Sequence, residues 1–178
     1  MIEIEQVSFT YETAKSGATI RNINVRIPKG QIVLLCGESG SGKTTFSRLI
    51  NGLIPAYYDG DLNGRIMVSQ KDTSKVELHE LAPFVGSVFQ NPKSQFYTLL
   101  TDTEIVFACE NIGMEKTDIL CRFNSTVNSL HIEKLLGKSL FALSGGEKQK
   151  IACASVNALM PDVFVLDEPT SNLDIGTI

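Results

Sequence analysis

A chain of 178 residues, 43% hydrophobic and 20% charged, has the composition of a globular protein and is long enough to bury a real core. Its formal net charge of −4, with no basic run, excludes an electrostatic nucleic-acid footprint. No apolar run approaches the roughly 18 residues of a membrane span, and the polar, alternating start Met1-Ile2-Glu3-Ile4-Glu5 does not read as a secretory leader.

In chain order, Ile2 and Ile4 alternate, the phase then shifts, and Val7, Phe9 and Tyr11 alternate. A phase shift inside one strand predicts a β-bulge near Glu5-Gln6. Glu12 to Gly17 reads as a loop. Ile23, Val25 and Ile27 alternate again and end at the turn Pro28-Lys29-Gly30. The apolar run Gln31-Ile32-Val33-Leu34-Leu35-Cys36 predicts a strand, and Thr45-Phe46-Ser47-Arg48-Leu49-Ile50 predicts a helix. Between them lies Gly37-Glu38-Ser39-Gly40-Ser41-Gly42-Lys43-Thr44, which has the composition and strand–loop–helix context of a phosphate-binding P-loop. Glycines let the backbone turn so that successive N–H groups face a polyphosphate, and the positive end of the following helix adds to that field. Lys43 would bring a charge to the β- and γ-phosphates, and the Thr44 hydroxyl would ligate Mg²⁺.

Tyr57 to Gly64 reads as a loop with Asn63-Gly64 as a hairpin signal, Arg65-Ile66-Met67-Val68 as a short strand, and Lys71 to Lys75 as exposed. Val85-Gly86-Ser87-Val88-Phe89 predicts a buried strand that delivers Gln90. Thr101-x-x-Glu104 reads as a capping box opening a helix through Asn111. From Lys116 to Leu130, Ile119, Leu120, Phe123, Val127 and Leu130 fall at helical spacing and predict a core-facing helix. Leu143-Ser144-Gly145-Gly146-Glu147 leads into a further helix, where a Ser cap with two glycines presents N–H groups to an anion. Val163-Phe164-Val165-Leu166-Asp167-Glu168 is an apolar strand ending in two carboxylates: Asp167 suits the water shell of Mg²⁺, and Glu168 suits polarisation of an attacking water. Ser171-Asn172-Leu173-Asp174 is a polar turn. The four cysteines, Cys36, Cys109, Cys121 and Cys153, lack C-x-x-C pairing and read as reduced core residues.

Gly37–Thr44, Gln90, Leu143–Glu147, Val163–Glu168 and Ser171–Asp174 occur in the order found in the ABC ATPase family, and the chain resembles that family throughout. The resemblance implies an α/β fold: a P-loop NTPase (RecA-like) core with an N-terminal antiparallel β subdomain and an inserted helical subdomain. Residues of about 1–30 and 60–82 would form the β subdomain, 31–59, 83–90 and 143–178 the nucleotide-binding core, and 91–142 the helical subdomain. It also implies ATP and Mg²⁺ as cofactors. Tyr11 would stack on adenine. Gly37, Glu38, Ser39, Gly40, Ser41, Gly42, Lys43, Thr44 and Thr45 would hold the phosphates. Thr44, Gln90 and Asp167 would attend the metal, and Glu168, Lys43 and Gln90 would carry catalysis. Ser144, Gly145, Gly146 and Glu147 would face the ATP of a second ABC ATPase subunit, in a homo- or heterodimer, and Asp174 would cross that interface.

The segment Val85 to Gln95 and the following Glu104 to Asn111 resemble the energy-coupling factor (ECF) and cobalt/nickel-type importers. That implies a peripheral ATPase on the cytoplasmic face of the membrane, docked on a transmembrane coupling subunit. A separate substrate-binding membrane subunit would choose a vitamin or a metal ion, and no nucleic acid is involved. The family's switch histidine follows the Asp-Glu pair, whereas His79 and His131 both precede it. The sequence therefore reads as a fragment, an excised piece or the first part of a longer gene product, which would hydrolyse ATP poorly on its own. The rival functions are a soluble ABC ATPase uncoupled from transport and a nucleotide-binding module without turnover.

Overall fold

The phase shift in the first strand sets the architecture of the N-terminal half. The computed structural model, which describes residues 1–13 and 20–170, shows β1 over Ile2–Tyr11 with Ile2, Ile4, Val7 and Phe9 buried. Keeping both halves of this strand facing the core requires extra backbone between them. The register breaks there: between Ile4 and Val7 against β2 (Ile20–Ile27), and between Glu5 and Ser8 against β3 (Gly60–Val68). Gln6 takes φ 50°, and its N–H donates to Asn24 Oδ1 at 2.9 Å.

Opposite the bulge sits Gly64 at φ 94°, where a Cβ would stand 2.6 Å from the carbonyl oxygens of both Glu5 and Gln6. The dipeptide Asn63-Gly64 is therefore not the hairpin turn that its residue types predict. It lies inside β3, where glycine allows one backbone to approach another. The loop expected over Tyr57–Gly64 is correspondingly shorter, because β3 begins at Gly60.

A short β4 (Lys71–Asp72) completes an antiparallel sheet in the order β2-β1-β3-β4. The stretch Lys71–Lys75, expected exposed, is partly inside: Thr73 is buried, and the Asp72 side chain is 12% exposed. Burial pushes the Asp72 carboxyl up, but hydrogen bonds from Ser74 and Lys75 outweigh it and hold the group below the usual carboxylate range. Three helical segments follow the same half of the chain: α1 (Lys43–Ile50), α2 (Leu53–Ala56) and α3 (Leu78–Leu81).

The apolar run Gln31–Cys36 is not a strand. Ile32 and Leu34 are 102% and 84% exposed, and Cys36 is exposed as well. Apolar, β-branched composition favours a strand only where a neighbour completes the ladder. Among the described residues this run joins neither sheet.

The chain divides into two units, Met1–Val85 and Gly86–Ile178. In the second, β5 (Val85–Val88, which starts on the last residue of the first unit) pairs with β6 (Val163–Leu166). Helices α4 (Thr101–Asn111), α5 (Lys116–Leu130) and α6 (Gly145–Asn157) enclose a core of Ile105, Cys109, Val127, Ile132, Leu135, Leu140, Leu143 and Ile151. Each such side chain contributes on the order of 1.5–3 kcal/mol by leaving water. α6 also packs on β5 through Val88, Ala152 and Val156. A Cβ on Gly86 would lie 2.3 Å from Val156 Cγ1, so glycine permits this contact.

Ile119, Phe123, Val127 and Leu130 face that core as their spacing predicts, but Leu120 is 60% exposed. It lies on the solvent-side border of a stripe too wide for one neighbour to cover. Cys109 is buried and Cys153 half-buried, and burial pushes both thiols up; Cys121 is exposed rather than a core residue. All four cysteines are free.

The capping box at Thr101 is replaced by a different use of the same residues. Leu100 is the N-cap, Thr101 Oγ1 donates to Leu135 O at 2.9 Å, and Glu104 is buried. Glu104 Oε2 accepts from Tyr97 N, Thr98 N and Thr98 Oγ1 at 3.1, 2.8 and 2.9 Å. A buried carboxylate needs several donors, and the preceding loop supplies more of them than the helix's own first turn.

Candidate functional site

In the first unit the site is built by the loop from Gly37 to Thr44. A Cβ on Gly37 would meet Ser41 Oγ at 2.8 Å, and Ser41 N donates to Glu38 O at 3.2 Å, so the turn closes on itself tightly. Gly40 and Gly42 take φ 81° and 94°, a region glycine enters without strain. Gly42 is the N-cap of α1 and offers no side-chain cap. The first N–H groups of α1 thus keep no capping partner from their own N-cap, and the helix's positive end stays undiluted. Lys43 Nζ folds back to donate to Gly37 O and Glu38 O, both at 2.9 Å. The ammonium is thereby held beside the loop by carbonyls that an anion's oxygens can replace.

Tyr11, at the end of β1, places its hydroxyl 3.2 Å from Thr45 Oγ1 and accepts a bond from Arg48 Nη1 at 3.0 Å. Thr45 is buried, whereas Ser39, Ser41 and Thr44 are exposed.

In the second unit, Gln90 follows β5 and its Nε2 donates to Glu168 Oε2 at 2.7 Å. Glu168 sits in left-handed backbone at φ 46°, just after β6. Asp167 N donates to Val88 O at 3.0 Å, which continues the pairing of β5 and β6 to the carboxylate pair. Two strands therefore deliver a donor and an acceptor 78 residues apart in sequence to one point. The segment Leu143–Glu147 caps α6: Ser144 Oγ accepts from Glu147 N at 3.3 Å, and Glu147 Oε2 accepts from Ser144 N at 2.8 Å. Hydrogen bonding to the carboxyl from Ser144, its backbone N–H first and then its side chain, holds Glu147 below its usual range. Asp174 lies outside the described residues.

No group of three His, Cys, Asp or Glu side chains capable of holding a metal occurs among the described residues. Thr44 in the first unit, and Gln90 and Asp167 in the second, each carry a hard oxygen donor of the kind Mg²⁺ prefers. The sequence alone did not single out Arg48. The signal was present, because Arg48 stands three residues after Thr45 and so shares its helix face. Among the described residues, no helix is long and apolar enough to cross a membrane.

A P-loop opening a helix, with a carboxylate pair at a strand end, defines a nucleotide-binding P-loop NTPase. The ABC transporter family model matches residues 20–171, and the chain belongs to that family. A Treponema denticola protein named as an ABC transporter ATP-binding protein is 48% identical over the whole chain, which spans 36% of that protein's length. One of the same description from Pyrococcus abyssi is 40% identical over 98% of the chain and 62% of its own length. Among solved structures, cbiO1 of Clostridium perfringens, part of the ABC transporter complex cbiONQ, aligns over 99% of this chain and 68% of its own. Its TM-score is 0.83 and its identity 28%. A dimeric ATP-binding cassette in a post-hydrolysis state with ADP and Pi aligns at TM-score 0.78 and 26% identity. These likenesses bear out the α/β P-loop NTPase fold.

Proposed function

We propose that this chain carries the ATP-hydrolysing machinery of a membrane importer of the energy-coupling-factor type. The observation that carries the ATPase reading is the Gln90–Glu168 hydrogen bond, which ties a carboxylate suited to activating water to a polar side chain from another strand. The likeness to cbiO1 and the Val85–Gln95 segment support the ECF assignment.

In this reading the N–H groups of residues 37–44 cradle the phosphates, and Lys43 exchanges the Gly37 and Glu38 carbonyls for phosphate oxygens. Tyr11 stacks on adenine. Thr44, Gln90 and Asp167 would hold Mg²⁺, which would neutralise charge developing on the transferred phosphoryl group. Glu168 accepts a proton from the attacking water or orients it, and Gln90 holds Glu168 in place. A second cassette offers its own Ser144, Gly145 and Gly146 to the γ-phosphate, and Asp174 reaches across the interface. Closure of the two cassettes moves a transmembrane coupling subunit at the cytoplasmic face. A separate membrane subunit selects the vitamin or metal ion.

One experiment tests both levels: extraction of the complete protein from membranes, identification of the bound subunits, and ATPase assay of wild type and Glu168→Gln. A coupling subunit should co-purify, and Glu168→Gln should slow hydrolysis by about two orders of magnitude while keeping ATP bound. Near-normal turnover in the variant removes Glu168 from the chemistry. Recovery without membrane subunits favours the soluble ATPase.

A further inference from the structure

The nucleotide-site reading leaves one charged side chain beside it, that of Arg48, without a role. Arg48 lies in the last turn of α1, where a cation ordinarily serves the helix's C-terminal carbonyls. Its guanidinium goes elsewhere. The carbon centre stands 4.0 Å from the centroid of the Tyr58 ring, and Nη1 donates to the Tyr11 hydroxyl at 3.0 Å. That hydroxyl is also 3.2 Å from Thr45 Oγ1, one helical turn before Arg48 and buried. With Arg48 able only to donate, the phenol oxygen is its acceptor, and the phenol's own proton can pass to Thr45 Oγ1. Tyr11 is therefore clamped at its polar tip by two side chains of the helix that the P-loop opens. Its ring meets Phe9 at 4.8 Å and Tyr58 at 6.1 Å, with interplanar angles of 83° and 80°, so neither neighbour lies parallel to it.

We infer that Arg48 is the positioning residue for the base-stacking platform: it fixes the Tyr11 ring through its phenol oxygen, so that recognition of the base, and not of the phosphates, depends on it. This rests on the nucleotide-site reading above. An unclamped tyrosine loses rotamer freedom when a base stacks on it, and that ordering opposes binding. The clamp, itself braced by the cation–π contact with Tyr58, removes that cost before the ligand arrives. Among the contacts described, the phosphate half of the site meets Arg48's partners only at Thr45, so Lys43 and the loop N–H groups are left intact.

The test is calorimetric titration of the complete protein with Mg·ATP and, separately, with Mg·tripolyphosphate, which presents the phosphates without a base. Arg48→Met keeps the aliphatic stem and removes the donor. It should weaken ATP about fivefold or more, the scale of one ordinary hydrogen bond's net contribution, and leave tripolyphosphate unchanged. Arg48→Lys restores a donor and should recover most of the loss. Tyr11→Phe alone removes the other half of the clamp and should weaken ATP by a similar factor, which keeps the test decisive if Arg48→Met folds poorly; combined with Arg48→Met it should add little further loss. An equal fall for both ligands, or unchanged ATP affinity in Arg48→Met, overturns the proposal. A wild-type protein that binds neither ligand overturns the nucleotide-site reading itself, and the role of Arg48 with it.

Discussion

Helices α1 and α6 both start among glycines, α1 after the glycine-rich loop and α6 with Gly145 and Gly146 in its own first turn, and both were expected to face phosphate. They start in opposite ways. α1 opens on Gly42, without a side-chain cap and without an acidic residue in its first turn, and with Lys43 at its first position. α6 opens on Ser144, and Glu147 closes a reciprocal capping box whose carboxylate lies in that first turn. One helix end leaves its positive field for a ligand. The other satisfies much of its own demand and holds a negative charge. The difference is the one the proposed function calls for, in which the loop before α1 would bind an anion unaided and the segment before α6 would meet one only when a second cassette is brought to it.

The largest effect that can break this comparison is at α1. Lys43→Ala should lower Mg·ATP affinity in the complete protein at least tenfold, since it removes the charge-assisted donor nearest the phosphates. Unchanged affinity by calorimetry would mean that the open end of α1 is not the anion site. A middle-sized effect is expected at α6. Ser144→Ala deletes the cap and should cost about 1 kcal/mol of stability by chemical denaturation. No such cost would show that the box does not hold the helix end.

The smallest effect is a pH dependence. Because the Glu147 carboxyl is held low in the folded protein, its contribution is present above the ordinary glutamate pKa of about 4.3 and is lost as pH falls through the depressed value. The stability difference between wild type and Glu147→Gln should therefore shrink on acidification below about pH 4. A difference that stays flat there would remove the charge from the account of this cap.

The parts of the molecule legible in sequence are those set by local chemistry. The bulge in β1, the glycines of the P-loop, the Ser144 cap and the delivery of Gln90 by β5 each follow from residues close together in the chain. What was misread depended on distant partners. Gln31–Cys36 has the composition of a buried strand, but composition does not supply the neighbour that makes one. Asn63-Gly64 has the residues of a turn, but its glycine answers to carbonyls some sixty residues earlier. Thr101 and Glu104 have cap spacing, but the loop at Tyr97-Thr98 competes for the carboxylate and wins it. Arg48 reads as a helix-end cation until Tyr11 and Tyr58 are seen around it.

The meeting of Gln6 and Gly64 also works as a key for strand alignment. Sliding β3 by two residues along β1 would keep every side chain on its proper face, so the hydrophobic pattern by itself does not forbid the error. The slide would bring Leu62 or Ile66 to the place of Gly64. A Cβ at that place stands 2.6 Å from two backbone oxygens, a distance no side-chain rotation relieves. The bulge and its glycine thus fit together in one alignment, and the sheet discards mispaired forms by collision where burial alone would tolerate them.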